Sequence, residues 1–178
     1  KKWKKEKIGE SWYAGETLIS AIGQGFVLTN PFQLAVMTSI IASNGKMVEP
    51  TIIKGNPVSF KTNEKYSKEI KIIKKAMFKV VNENKGTAFK SRLQDIKFAG
   101  KTGTSQVRRI SLSERESDDF REKEQEWKNR DHALFVGYMP YDDPKYSISV
   151  IIEHGGSGAS TAAPIAKQIF NYINELEV

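Results

Sequence analysis

Two runs of strand-forming residues, His132 to Met139 and Tyr146 to Ile152, flank the turn Pro140-Tyr141-Asp142-Asp143-Pro144-Lys145. Aromatic and β-branched residues on both sides of a Pro/Asp turn predict an antiparallel hairpin. A third strand-like stretch, Ile96 to Thr104, lies upstream. An antiparallel sheet is therefore the expected centre of the fold, and the patterned segments around it are the helices that cover it.

Those helices carry legible boundaries. Asn30-Pro31-Phe32-Gln33 predicts a helix start, with Asn30 capping, Pro31 at the first helical position and Gln33 capping in return. Phe32, Ala35, Val36, Ile40 and Ile41 then recur at helical spacing, and Asn44-Gly45 offers the left-handed residue that closes a helix near Ser43. Val48 to Lys54 reads as a short strand. Ser67 to Asn82 predicts an amphipathic helix, with Ile72, Ile73, Ala76, Met77 and Val80 facing the core and Lys68, Lys71, Lys75 and Lys79 facing solvent. A last helix holds Pro164 in its first turn, is capped by Ser160 or Thr161, and carries Ile165, Ile169, Tyr172, Ile173 and Leu176. The expected class is α/β: an antiparallel sheet with packed helices, the last of them against one face.

The 178 residues suffice for one domain with a real core. Cysteine is absent, which excludes disulfides, thiolate catalysis and Cys-based zinc sites. The two histidines, His132 and His154, flank the hairpin strands and are expected to be structural; no metal and no cofactor is called for. Of the net charge of +7, much lies between Lys61 and Lys90, where nine lysines face three acidic residues. No RNA-binding signature accompanies that charge, so a solvated helix face is expected and nucleic acid is not. Residues 105–131 hold seven basic and eight acidic residues and are expected to form a mobile insertion, with a charge-laced helix conceivable from Glu114 to Lys128. Its aromatic residues, Phe120 and Trp127, could fold over a cleft or meet a partner, though disorder is the plainer expectation. Glu153-His154-Gly155-Gly156-Ser157-Gly158 lacks the Lys-Ser/Thr ending of a phosphate loop and is expected to be a flexible strand-to-helix connection. No apolar run is long enough to span a membrane. The start at Lys1, without Met and running straight into patterned sequence, leads us to expect a piece of a longer protein.

The chemistry-bearing motif is Lys101-Thr102-Gly103-Thr104, at the end of the apolar strand. A cation, two hydroxyls and a residue without a side chain suit acyl transfer to an extended peptide. Lys101 attracts a carboxylate, Thr102 and Thr104 orient it, Gly103 admits a second backbone, and an exposed backbone N–H can stabilise an oxyanion. A Lys-Thr-Gly string by itself is weak; its neighbours make it specific. Ile22-Gly23-Gln24-Gly25, Asn30-Pro31-Phe32-Gln33-Leu34-Ala35 and Ile41-Ala42-Ser43-Asn44-Gly45 precede it. Asp131-His132-Ala133-Leu134-Phe135-Val136-Gly137-Tyr138, Glu153-His154-Gly155-Gly156 and Ala162-Ala163-Pro164-Ile165-Ala166 follow. In this order the blocks resemble class B penicillin-binding proteins of the elongation, rod-shape type, over nearly the whole chain.

The resemblance implies that residues 1–178 are the C-terminal portion of a transpeptidase domain of the penicillin-binding and serine β-lactamase-like fold, whose sheet would meet an all-helical lobe. It implies that Lys101, Thr102, Gly103 and Thr104 hold a peptidoglycan stem peptide or the carboxylate of a β-lactam. The backbone N–H of Thr104 would help form the oxyanion hole. It further implies a location on the outer face of the cytoplasmic membrane with an anchor upstream, and a membrane glycan synthase as partner besides the upstream half of the same protein. The family's nucleophile belongs to a Ser-x-x-Lys motif and its proton transfer to a Ser-x-Asn motif. Here the one Ser-x-x-Lys string is Ser43-Asn44-Gly45-Lys46, a helix end rather than a helix start, and Ser-x-Asn does not occur. The isolated chain is thus expected to be unable to acylate. Two alternatives stand beside this reading: a noncatalytic docking remnant, and a β-lactamase or D,D-carboxypeptidase relative.

Overall fold

The structure is a computed structural model that describes residues 1–55, 59–62, 64–107 and 126–177. In chain order it contains helices α1 (Lys2–Ile8), α2 (Ala14–Ala21) and α3 (Pro31–Ala42), strands β1 (Lys46–Glu49) and β2 (Ser59–Thr62), and helix α4 (Ser67–Asn82). Strands β3 (Ala99–Ser105), β4 (His132–Met139) and β5 (Tyr146–Ile152) follow, then helix α5 (Ala163–Glu177). The three long strands form one antiparallel sheet in the order β3-β4-β5, with Gly103 opposite Leu134 and Val136 opposite Ser149. Strands β1 and β2 form a separate antiparallel pair.

Alternation along β4 gives the sheet two apolar faces. Ala133, Phe135 and Met139 join Phe98, Ala162, Ala166 and Phe170 in one core beneath α5. The rings of Phe98 and Phe170 lie 5.1 Å apart there. On the opposite face Tyr138 packs with Ala42 of α3 and Met77 of α4. Gly100 and Gly137 face each other across β3 and β4, and the Phe135 ring fills the space above them. A Cβ on Gly100 would come within 2.2 Å of that ring. Side chains at either glycine would expel Phe135 from the core.

The start of α3 follows its capping residues: Asn30 Oδ1 accepts from the Gln33 N–H at 2.9 Å, and Gln33 Oε1 accepts from the Asn30 N–H at 3.1 Å. Asn44 and Gly45 end the helix at φ 58° and 93°. Strand β1 covers Lys46–Glu49 rather than the expected Val48 to Lys54. It stops before Pro50, which has no N–H to give a ladder.

Helix α4 has the expected bounds but brings only part of the expected face, Met77 and Val80, to the core. It buries Met77 and Val81 and leaves Ile72 and Ile73 exposed at 70% and 42%. Lys74 turns inward with that buried face, and its ammonium donates to the Ala42 carbonyl at 2.8 Å and to Asn44 Oδ1 at 2.9 Å. Burial holds the Lys74 pKa below the usual lysine value. Lys68, Lys71, Lys75 and Lys79 are exposed, as the charge pattern predicts.

The link from β5 to α5 is packed rather than flexible. Ser157, not Ser160 or Thr161, caps it by accepting from the Ala159 N–H, and a π-helical turn, Gly158–Ala162, precedes α5. Gly158 is buried against the backbone of β3 and β4. The opening helices also go beyond the sequence reading. They meet through Lys4, 1% exposed, whose ammonium binds Glu16 and Glu10 and lies 4.8 Å from the Tyr13 ring centre. Helix α2, the segment after it and the start of α3 leave Leu18, Ile22, Leu28 and Phe32 open to solvent. Most of the charged stretch expected to be mobile, with Phe120 and all but the last three residues of the expected Glu114 to Lys128 helix, lies outside the described residues. Beyond it, Trp127–Asn129 forms one 3-10 turn, and the Trp127 ring rests 4.4 Å from that of His154.

Candidate active site

The Lys101-Thr102-Gly103-Thr104 segment lies in β3, paired with β4 on one side only; among the described residues no strand pairs with its other edge. Ala99 and Gly100 are buried, while Lys101 and Thr104 are exposed, so the strand runs from the core out to a solvent-facing edge. An unpaired edge presents backbone donors and acceptors to any extended chain that comes alongside. Two side chains cover its acceptors. Lys101 Nζ donates to the Thr102 carbonyl at 2.7 Å, and Gln24 Nε2 donates to the Thr104 carbonyl at 2.9 Å. In an antiparallel strand the N–H and C=O of one residue face the same side. The Thr104 N–H thus shares the open edge with its carbonyl.

In front of that edge lies an open cavity of about 300 Å³, lined by Gln24, Leu34, Lys101, Thr102, Thr104 and Val136 among others. All four residues singled out in the Lys-Thr-Gly-Thr segment line it. So do Ile22 and Gly23, which places the Gly-Gln-Gly block on the cavity wall, 80 residues upstream of the strand it touches. One cation, two hydroxyls and an outward N–H along one edge can bind a carboxylate and polarise a carbonyl. Behind the edge, Gly103 is backed by Gly158, whose missing side chain lets the two backbones meet.

Ser43 closes a helix rather than opening one. It caps the end of α3 with its hydroxyl shared between the carbonyls of Lys46 at 3.1 Å and Ile40 at 3.3 Å, and Lys46 begins β1. The serine and lysine therefore do not share a helix face one turn apart, which a lysine base would need. His132 and His154 meet at the far end of the hairpin in a structural pair. His132 Nδ1 accepts from the His154 N–H at 2.9 Å, and His154 Nδ1, 3.0 Å from the Arg130 carbonyl, carries the proton of that bond. Among the described residues no three His, Cys, Asp or Glu are grouped to hold a metal ion, and no helix is long and apolar enough to cross a membrane.

Sequence reasoning missed Thr87. Its Oγ1 lies 2.9 Å from Thr102 Oγ1, on a link between α4 and β3 that carries no motif of its own. The Gln24 contact was likewise not foreseen, although the Gly-Gln-Gly block had drawn attention to that residue.

A sequence profile described as "Penicillin binding protein transpeptidase domain" matches residues 3–171. The curated protein "Peptidoglycan D,D-transpeptidase MrdA" of Haemophilus influenzae is 33% identical, over 97% of this chain and 28% of its own length. Its namesake from Acinetobacter baumannii is 35% identical, over 96% of this chain and 26% of its own. Among solved structures, the complex between Penicillin-Binding Protein (PBP2) and MreC from Helicobacter pylori matches with a TM-score of 0.80 and 33% identity, over 98% of this chain and 30% of that one. Pseudomonas aeruginosa PBP2 in complex with WCK 5153 matches at 0.71 and 31%, over 96% and 35%. The chain spans under a third of the length of these curated relatives.

Proposed function

Because the chain belongs to the penicillin-binding protein transpeptidase family, we propose that residues 1–178 are the C-terminal portion of a peptidoglycan D,D-transpeptidase domain and build one wall of its cleft. In this reading the parent enzyme cross-links stem peptides by serine acyl transfer. The serine attacks the donor peptide's carbonyl, the terminal residue leaves as an amine, and an acceptor amine then takes the acyl group. Strand β3 holds the donor alongside its open edge. Lys101 and the hydroxyls of Thr102 and Thr104 take the carboxylate of the donor or of a β-lactam, Gly103 admits its backbone, and the Thr104 N–H faces the developing oxyanion.

The observation that carries the proposal is the bond from Gln24 to the Thr104 carbonyl. Two motifs far apart in sequence meet on one cavity, which supports a shared cleft wall. The nucleophile comes from a segment outside these residues, since Ser43 is a helix cap. The all-helical lobe of that segment covers the exposed Leu18, Ile22, Leu28 and Phe32. The parent is anchored upstream and works on the outer face of the cytoplasmic membrane beside a membrane glycan synthase. The MreC complex of the Helicobacter pylori relative suggests an MreC-like protein as a further partner.

A fluorescent penicillin tests this. The isolated chain should take no covalent label, whereas the polypeptide that also carries the serine-bearing segment should take one equivalent and lose most of it with Lys101→Ala. Stoichiometric labelling of the isolated chain would place a nucleophile within it, and an unlabelled longer polypeptide would sink the transpeptidase reading.

A further inference from the structure

The link between α4 and β3, which includes a 3-10 turn at Phe89–Ser91, is held against the end of α4. A Cβ on Gly86 would stand 2.2 Å from the Val80 carbonyl oxygen, so the chain lies flat on the last turn of α4. The Gly86 N–H donates to the Glu83 carbonyl at 2.8 Å, the Ala88 N–H to the Val80 carbonyl at 3.0 Å, and Ala88 is buried. Thr87 is thus fixed on both sides. Its own side chain is at the surface and is not on the cavity wall, yet its Oγ1 lies 2.9 Å from Oγ1 of Thr102, which is.

We propose that Thr87 is a positioning residue that sets the direction of the Thr102 hydroxyl proton for carboxylate binding. A hydroxyl has one proton and can accept two hydrogen bonds, so only one of the two threonines donates within the pair. If Thr102 donates to Thr87, it offers the cleft lone pairs alone, and these repel an anion. If Thr87 donates to Thr102, the Thr102 proton is free for a carboxylate, and the two bonds in series polarise each other. An anion in the cleft selects the second arrangement, in which donation from Thr87 strengthens the bond that the Thr102 proton makes to the anion. The inference rests on the function proposed above, in which Thr102 meets the carboxylate.

The test compares acylation of the serine-bearing polypeptide by benzylpenicillin and by its methyl ester, each measured in competition with a fluorescent penicillin. Thr87→Val should slow the free acid about fivefold, the effect of one hydrogen bond of ordinary net strength, and slow the ester by less than about twofold. Thr87→Ser should restore the acid-to-ester ratio. That ratio does not depend on how much of the variant is folded, so partial misfolding cannot mimic the result. An unchanged ratio in Thr87→Val, with wild type labelled normally, overturns the role of Thr87 alone. A wild-type protein that no penicillin labels overturns the functional reading and this inference with it.

Discussion

Gly158→Ala is the substitution that most directly probes how the cleft wall is supported. The added Cβ would stand 2.3 Å from the carbonyl oxygens of both Gly103 and Leu134 and 3.0 Å from the Gly103 nitrogen. Carbon-to-oxygen contacts settle near roughly 3.3–3.6 Å, so the methyl must move about 1 Å away from two oxygens at once. All three obstructing atoms are backbone, and no rotamer change relieves them. Either the turn Gly158–Ala162 lifts off the sheet or β3 and β4 bow. Overpacking of this kind costs about 1–3 kcal/mol, and a clash with two fixed strands belongs in the upper part of that range. At about 2–3 kcal/mol, a domain of this size should melt roughly 4–12 °C lower. The neighbouring Gly156→Ala is the control. Gly156 has φ 77° and open space around its Cβ position, so its cost is strain alone. Both variants should lose stability, but only Gly158→Ala displaces Gly103 and should slow penicillin acylation by about tenfold or more in the serine-bearing polypeptide. If Gly158→Ala melts within about 2 °C of wild type and acylates at the wild-type rate, the turn does not support the wall.

Gly15→Ala should act in the opposite direction: nothing lies within 4 Å of the added Cβ and the residue is helical, so stability should rise by about 0.4–1 kcal/mol, read as a higher melting temperature. A lower one would mean that α2 is not helical at this position. The Lys4–Glu16 contact should be sensitive to pH at both ends. The hydrogen bond from Lys4 holds the Glu16 carboxyl below its usual range, against the opposing effect of burial, and the same bond raises Lys4. A lowered carboxyl stabilises the fold above its unfolded pKa of about 4.3 and loses that effect as pH falls through the lowered value. A raised lysine does so below about 10.4 and loses it as pH rises through the raised value. The docking of α1 should therefore weaken below about pH 4 and in strong alkali. Trp3 and Trp12, both against Phe26, report it by fluorescence in a Trp127→Phe background, and Glu16→Gln should flatten the acid limb. An acid limb unchanged by Glu16→Gln would refute the assignment.

The features legible in the sequence are those set by neighbours along the chain. Asn30 and Gln33 specify a helix start by bonding to each other across Pro31, and the hairpin of β4 and β5 is bounded by its own turn residues. The misreadings concern contacts with distant partners. The expected stripe of helix α4, Ile72, Ile73, Ala76, Met77 and Val80, overlaps a second one of Met77, Phe78 and Val81. Periodicity alone cannot choose between them. The second is buried because Lys74, which a sequence pattern counts as surface, finds its acceptors on Ala42 and Asn44 at the end of α3. Lys4 hid α1 in the same way, since a lysine-rich opening reads as solvated until Glu10 and Glu16 are seen to surround its ammonium. Within the site, the strand was legible because its residues are contiguous. Thr87 was not, because its one signal is a hydroxyl 15 residues away.

The same distinction explains how one strand can be both rigid and open. On its buried side β3 is fixed by contacts that leave no slack: the Phe135 ring over Gly100 and Gly158 against Gly103. On its open side the Thr102 and Thr104 carbonyls are covered by a lysine and a glutamine side chain, each through a single hydrogen bond. The glutamine's bond has a net worth of about 0.5–1.5 kcal/mol and the lysine's, from a charged donor, about 1.5–3 kcal/mol, so an extended peptide that displaces them gains no more than it replaces. Backbone pairing with β3 therefore contributes little net affinity. On the proposed function, discrimination falls instead to the charge-assisted contact of a carboxylate with Lys101 and the threonine hydroxyls, which no neutral peptide can replace. A donor that lacks its terminal carboxylate should accordingly lose far more than one that lacks an amide N–H facing the strand.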